Sequence, residues 1–121
     1  MRYVDGFVLV VPKSKIKAYV TLAKDASKIW MKFGALEYKE CVAEDMAPKD
    51  VTFTFPIMAK AKKNETVVFS FIIHKSRKHR DSVNKKVMAY FDKKYKDKKH
   101  EDMPFDMKRI AYGGFKAIVD V

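Results

Sequence analysis

Ser76, Arg77, Lys78, His79, Arg80, Asp81 and Asn84 are the densest group of chemically capable side chains in this sequence. A serine followed by a charged run predicts a helix start, where free backbone N–H groups and the helix dipole favour an anion. Arg77 and Arg80 are therefore candidate anchors for a small anionic or carbonyl-bearing ligand. His79 is the candidate catalytic acid or base, with Asp81 to orient it. Asn84 lies one turn beyond Arg80 on the same face and extends the group. The same residues would serve as an Arg/Asp surface network with a capping histidine, because ion-pair networks mimic sites. Arg109 and Tyr112 are second candidates for ligand binding, beside the Gly113-Gly114 pair, where a salt bridge and a packed tyrosine are the structural alternative.

The remaining reactive side chains point away from metal or thiol chemistry. His74, His79 and His100 show no ligand spacing, so no metal and no cofactor is expected. Cys41 stands alone, which excludes an internal disulfide and predicts a small buried hydrophobe in a reducing compartment. His74 ends a predicted strand, on the face expected to meet a second copy of the chain.

Such residues need a scaffold, and 121 residues with 48% apolar and 34% charged content predict a single globular domain over 1–121. The net charge of +11 concentrates between His74 and His100, where eleven Lys/Arg face three Asp/Glu. A charge of this kind attracts nucleic acid, anionic lipid or acidic small molecules, or simply keeps a small protein soluble. Only four of the 26 basic residues are Arg (Arg2, Arg77, Arg80, Arg109). Specific anion recognition leans on Arg forks, so most of the charge reads as background. No segment is long and apolar enough for a signal or a membrane span, and a cytoplasmic protein without membrane contact is expected.

Periodicity supplies the elements. Tyr3 to Val11 reads as a strand that is apolar on both faces in its second half. A helix follows, capped by Ser14, carrying Ile16, Tyr19, Ala23 and Trp30 at helical spacing, and ended by Gly34. Residues 35–43 predict a weaker strand whose charges face water, and Val51 to Phe55 a short strand or extended loop broken by Pro56. Thr66 to His74 is the strongest strand, followed by a helix capped by Ser76 with Val83, Val87, Tyr90 and Phe91 as its apolar stripe. The last strand is predicted over 109–119, with a bulge or close backbone approach at its paired glycines.

The order strand-helix-strand, strand-helix-strand predicts an α+β fold: a ferredoxin-like βαββαβ antiparallel sheet with both helices on one face. Two helices cover only one face, and a bare apolar second face exceeds what soluble monomers tolerate. The second face is therefore expected to pack on another copy, giving a homodimer.

Four blocks carry a family likeness. They are Tyr3-Val4-Asp5-Gly6-Phe7-Val8; Gly34-Ala35-Leu36-Glu37-Tyr38 with Glu40-Cys41-Val42; Ser76-Arg77 with His79-Arg80-Asp81 and Val83-Asn84 through Met88; and Met103-Pro104-Phe105-Asp106 with Lys108-Arg109 and Tyr112-Gly113-Gly114-Phe115. In combination they resemble the YbaA-like family of small bacterial proteins of unknown function, in the dimeric α/β-barrel superfamily. The resemblance implies the fold and the dimeric α/β barrel but no activity. The Lys-rich run from Lys93 to Lys99 departs from the family pattern. By superfamily analogy a cofactor-free monooxygenase is one alternative function, and the basic segment makes a nucleic-acid-associated protein another.

Overall fold

The computed structural model describes residues 1–96 and 103–121 of the chain. Its elements run β1 (Tyr3–Pro12), α1 (Ile16–Lys32), β2 (Glu37–Val42), α2 (Phe55–Met58), β3 (Glu65–His74), α3 (Arg77–Lys94) and β4 (Ala111–Lys116). The strands form one antiparallel sheet in the order β2-β3-β1-β4. The two most apolar strands thus occupy the centre, as expected for an α+β fold of the ferredoxin-like kind.

The side-chain period of two assigns the faces. Register pairs Asp5 with Ile72, Phe7 with Ser70 and Leu9 with Val68, so these share one face. That face is covered by the two long helices. Tyr19 and Ala23 of α1 pack with Leu9, Val11 and Val68 at one end. Trp30 of α1 and Val83 and Val87 of α3 pack with Ile72 at the other. The opposite face carries Val4, Gly6, Val8 and Val10 of β1, Phe69, Phe71 and Ile73 of β3, and Phe115 of β4.

Several local expectations are corrected. Ser14 does not cap α1: residues Lys13–Lys15 form a 3-10 turn, and Lys15 precedes the helix with no side-chain cap. Of the two alternatives at Val51 to Phe55, strand or extended loop, the loop holds as far as Thr54, and α2 begins at Phe55. Thr54 accepts a hydrogen bond from the Ile57 N–H, and Pro56 sits in the first turn, where its missing N–H costs nothing. Phe55 of α2 meets Phe69 at 6.4 Å between ring centres, and Met58 and Ala59 line a cleft with Val8 and Ala111. Val10 and Val67, at one end of the second face, are buried. The rest lies open: Phe69 is 44% and Phe115 61% exposed.

The last strand starts at Ala111 rather than Arg109, because Asp106 caps a 3-10 turn over Met107–Arg109. Its glycines make no bulge, since the register with β1 runs unbroken from Lys116 to Ala111. The alternative expectation holds: the Tyr3 ring lies so close over Gly114 that a Cβ there would fall 2.6 Å from its Cε2. Gly34 ends α1 with φ at +117°, as its position predicted. No helix among the described residues is long and apolar enough to cross a membrane. The Lys-rich expectation lies partly outside the described residues, with Asp97, Lys98, Lys99 and His100 among those beyond them.

Candidate functional site

Asp5 is the acid that alternation turns inward from β1, and it reaches the core with no exposure at all. Its Oδ1 accepts from Arg80 Nη1 of α3 at 2.7 Å and from the Tyr112 hydroxyl of β4 at 3.1 Å. Arg80 Nη1 also donates to the Tyr112 oxygen at 2.6 Å, closing a triangle of three side chains from three elements. Arg80 Nε donates to Asp81 Oδ1 at 2.9 Å, and its guanidinium lies 4.8 Å from the centre of the Tyr3 ring. Burial alone would lower the Arg80 pKa. Asp5, Tyr112 and Asp81 outweigh it and hold the guanidinium charged.

The other Asp5 oxygen faces His74. His74 Nε2 lies 3.3 Å from Asp5 Oδ2, yet the angles make no hydrogen bond and the imidazole is fully buried. Its ring sits between Trp30 at 6.3 Å and His79 at 5.8 Å, edge to face with each. Among the described residues, the buried side-chain polar atoms without a hydrogen-bond partner are Asp5 Oδ2, both His74 nitrogens and Asn84 Oδ1. All four belong to this one region of the core, where native proteins leave few polar groups unpaired.

His79 is placed by the start of α3. The Ser76 hydroxyl caps the helix by accepting from the His79 N–H at 3.1 Å. The His79 ring accepts the Lys75 N–H at Nδ1, at 3.1 Å, which directs Nε2 at Gly34. Burial, then His74 and nearby lysines, pushes its pKa below 6.5, so the ring is uncharged at neutral pH. Asp81 does not orient it, being engaged by Arg80. Tyr112 is half exposed, and burial together with Asp5 raises its pKa although Arg80 opposes the shift. The Asn84 side chain also acts on the Tyr112 hydroxyl, in the opposite sense to burial.

The structure therefore brings His79, Arg80, Asn84 and Tyr112 together and leaves two candidates elsewhere. Arg77 is exposed and makes no hydrogen bond or ion pair among the described residues. Arg109 is at the far end of β3, forked onto Glu65 at 2.7 and 3.0 Å and bonded to the Lys60 carbonyl at 2.9 Å. His74 is also repositioned: it faces the helices, not the face open for a second copy. Cys41 is exposed rather than buried, since it lies on the open face of the edge strand β2. No group of three or more metal-ligating side chains forms among the described residues.

Asp5 was the residue missed. One acid inside an otherwise apolar strand, at an inward position, was the signal that would have found it. Glu40 is a second case. Its sequence context predicts a water-facing charge, but its register partner is Ser70 on the helix-covered face. There it accepts from Tyr19 at 2.7 Å and Tyr38 at 2.6 Å. Burial and the shared carboxylate push both phenols well above their ordinary pKa. Glu37 and Lys39 do face out, paired at 3.6 Å.

This is an α+β protein whose sheet and two long helices enclose an Asp–Arg–Tyr–His cluster. The chain belongs to the family described as "Protein of unknown function (DUF1428)", which matches residues 2–107. It is 46% identical over 120 residues to "Uncharacterized protein YbaA" of Escherichia coli (strain K12), covering 99% of each chain. The protein of the same name in Shigella flexneri matches to the same extent, 46% over 120 residues and 99% of each chain. Among solved structures, "De novo designed protein Foldit4" aligns over 97% of this chain and 99% of its own, with a TM-score of 0.46 and 9% identity.

Proposed function

We propose that the chain binds a small carbonyl-bearing molecule at the Asp5–His74–Arg80–Tyr112 cluster, and that it works as a homodimer. The observation that carries the ligand reading is that His74 Nδ1 and Asn84 Oδ1 are buried without a hydrogen bond, beside Asp5 Oδ2 and His74 Nε2, which meet at 3.3 Å without forming one. Each such group costs roughly 1–3 kcal/mol when left unpaired. A ligand with a carbonyl acceptor and a hydroxyl or amide donor would supply the partners. Arg80 is already held by two carboxylates and His79 is uncharged at neutral pH, so the site favours a carbonyl over a free anion. In this reading Arg80 and Tyr112 orient the ligand oxygen and His79 supports His74.

The homodimer reading rests on area and charge. Phe53, Phe55, Phe69 and Phe115 are 69%, 46%, 44% and 61% exposed. At roughly 150–250 Å² per aromatic side chain they present about 400 Å². Ile57 and Met58 of α2 are exposed as well and enlarge this apolar area. A typical monomer's largest patch is about 300–600 Å², and a stable interface takes about 800 Å² from each partner. Copies of a +11 chain repel over much of their surface. On the open sheet face Glu37 pairs with Lys39 and Glu65 with Arg109, and Lys60 lies beside Val8 and Ala111 in the cleft at its edge.

The ligand reading is tested by NMR titration with hydroxyketones, small amides, 2-oxoacids and simple carboxylates. A carbonyl compound should shift the His74 and Tyr112 ring signals saturably, and Tyr112→Phe should weaken that binding about fivefold, the loss of one neutral hydrogen bond of about 1 kcal/mol. Binding carried only by anions and abolished by salt would overturn it in favour of Lys-driven attraction, the behaviour of a non-specific nucleic-acid binder.

A further inference from the structure

The segment after β4, residues 117–121, has its backbone held and its side chains bare. The Ala117 N–H donates to the Arg2 carbonyl at 3.0 Å. Arg2 Nε lies 3.6 Å from Asp120 Oδ2. Between these two clasps Ile118 and Val119 are each 80% exposed, and Val121 beyond them is exposed too. A lone exposed aliphatic residue is ordinary. An aliphatic pair on backbone already tied to its own β1 end has prepaid part of the ordering cost that a partner would otherwise bear.

We propose that this segment is an arm that lays Ile118 and Val119 on the open sheet face of a second copy of the chain, a proposal that rests on the homodimer reading above. The occupant follows from the same area and charge. The arm is apolar apart from Asp120, whose charge Arg2 answers, so it brings no bare charge to the apolar face. Phe115 of β4, on that face, is two residues before Ala117 and continues the same exposed apolar strip. Ile118 and Val119 carry the contact, and the Arg2–Asp120 and Arg2–Ala117 clasps set the direction in which they project.

Sedimentation velocity of the full chain across a concentration series tests the arm, comparing wild type with Ile118→Ser/Val119→Ser. Each dimer has two arms, and burial of four aliphatic side chains makes the expected loss of dimer affinity at least about 100-fold. Circular dichroism should not change, because both side chains are exposed in the single chain. A photoreactive p-benzoylphenylalanine in place of Ile118 gives a second readout, an adduct joining two copies through the 51–58 peptide or through Phe69 or Phe115. A wild-type dimer whose strength the double variant leaves unchanged, with no adduct between copies, overturns the arm and leaves the homodimer standing. A wild type that sediments as a lone 14.1 kDa species overturns both.

Discussion

His74 and Asp5 face each other across neighbouring strands of the sheet, 3.3 Å apart at Nε2 and Oδ2, with almost no solvent exposure and no hydrogen bond between them. The register explains the approach: Asp5 is paired with Ile72 and Tyr3 with His74, so both side chains rise from adjacent inward positions. Arg80 anchors Asp5 from above through its other oxygen and leaves Oδ2 free to face the imidazole. Trp30 and His79 hold the ring edge to face on its sides. A core built only for stability would fill these positions with apolar groups of similar volume, because replacing a buried ion pair such as Asp5–Arg80 in that way is often neutral or stabilising.

Removing one partner of this pair is the more severe change. Asp5→Asn keeps the volume but deprives Arg80 of a carboxylate whose side chain is 1% exposed, against 12% for Arg80 itself. Breaking a buried pair from one side costs about 3–5 kcal/mol. Urea denaturation should show a loss of that size, and a loss below about 1 kcal/mol would mean that Asp81 and Tyr112 suffice for Arg80.

How much of this was legible in the sequence depends on what each signal encodes. The sheet, both long helices, the Ser76 cap and the Gly34 terminus follow from periodicity and backbone preference, which are local. His79, Arg80, Asn84 and Tyr112 could be nominated from residue type and position. Asp5 and His74 could not be joined, because only strand register brings residues 69 positions apart into contact. Arg109 failed as a site residue for the same reason: its partner Glu65 is 44 positions away. At 51–55 the choice between strand and loop is made locally: alternation competes with a Thr54 cap and a first-turn proline, and the cap prevails.

Gly34 combines two requirements. Its φ of +117° is a conformation side chains rarely adopt, and a Cβ there would sit 3.2 Å from His79 Nε2. Gly34→Ala should therefore cost about 1–3 kcal/mol from backbone strain. His79→Ala in the same background should relieve only the contact with the ring. A thermal melt in which His79→Ala restores the whole loss would show that strain at φ contributes nothing.

Glu65 gives the acid limb of stability. The Arg109 fork, aided by the Lys62 N–H, lowers its pKa from 4.5 to about 2. A depressed carboxylate stabilises the fold fully above the unfolded value and loses that contribution as pH falls through the folded one. The decline should fall between about pH 4.5 and 2. Glu65→Gln should flatten this part of the stability–pH curve while leaving neutral pH stability lower than wild type. An unchanged slope in that window would show that the Arg109 clasp does not hold in solution.

His79 adds a second acid-side loss of stability, beginning at higher pH than that of Glu65. Burial, His74, Lys75 and Lys86 all disfavour its charged form, so its folded pKa lies below 6.5. The unfolded chain then binds the extra proton first. Stability should be complete above pH 6.5 and decline as pH falls below it, levelling off once the folded ring also titrates. His79→Gln, which takes up no proton there, should remove that decline; its amide oxygen can still accept the Lys75 N–H. Ring-proton NMR checks the cause directly, because His79 must titrate below 6.5, and a midpoint above that value would mean that Asp81 rather than the core governs the imidazole.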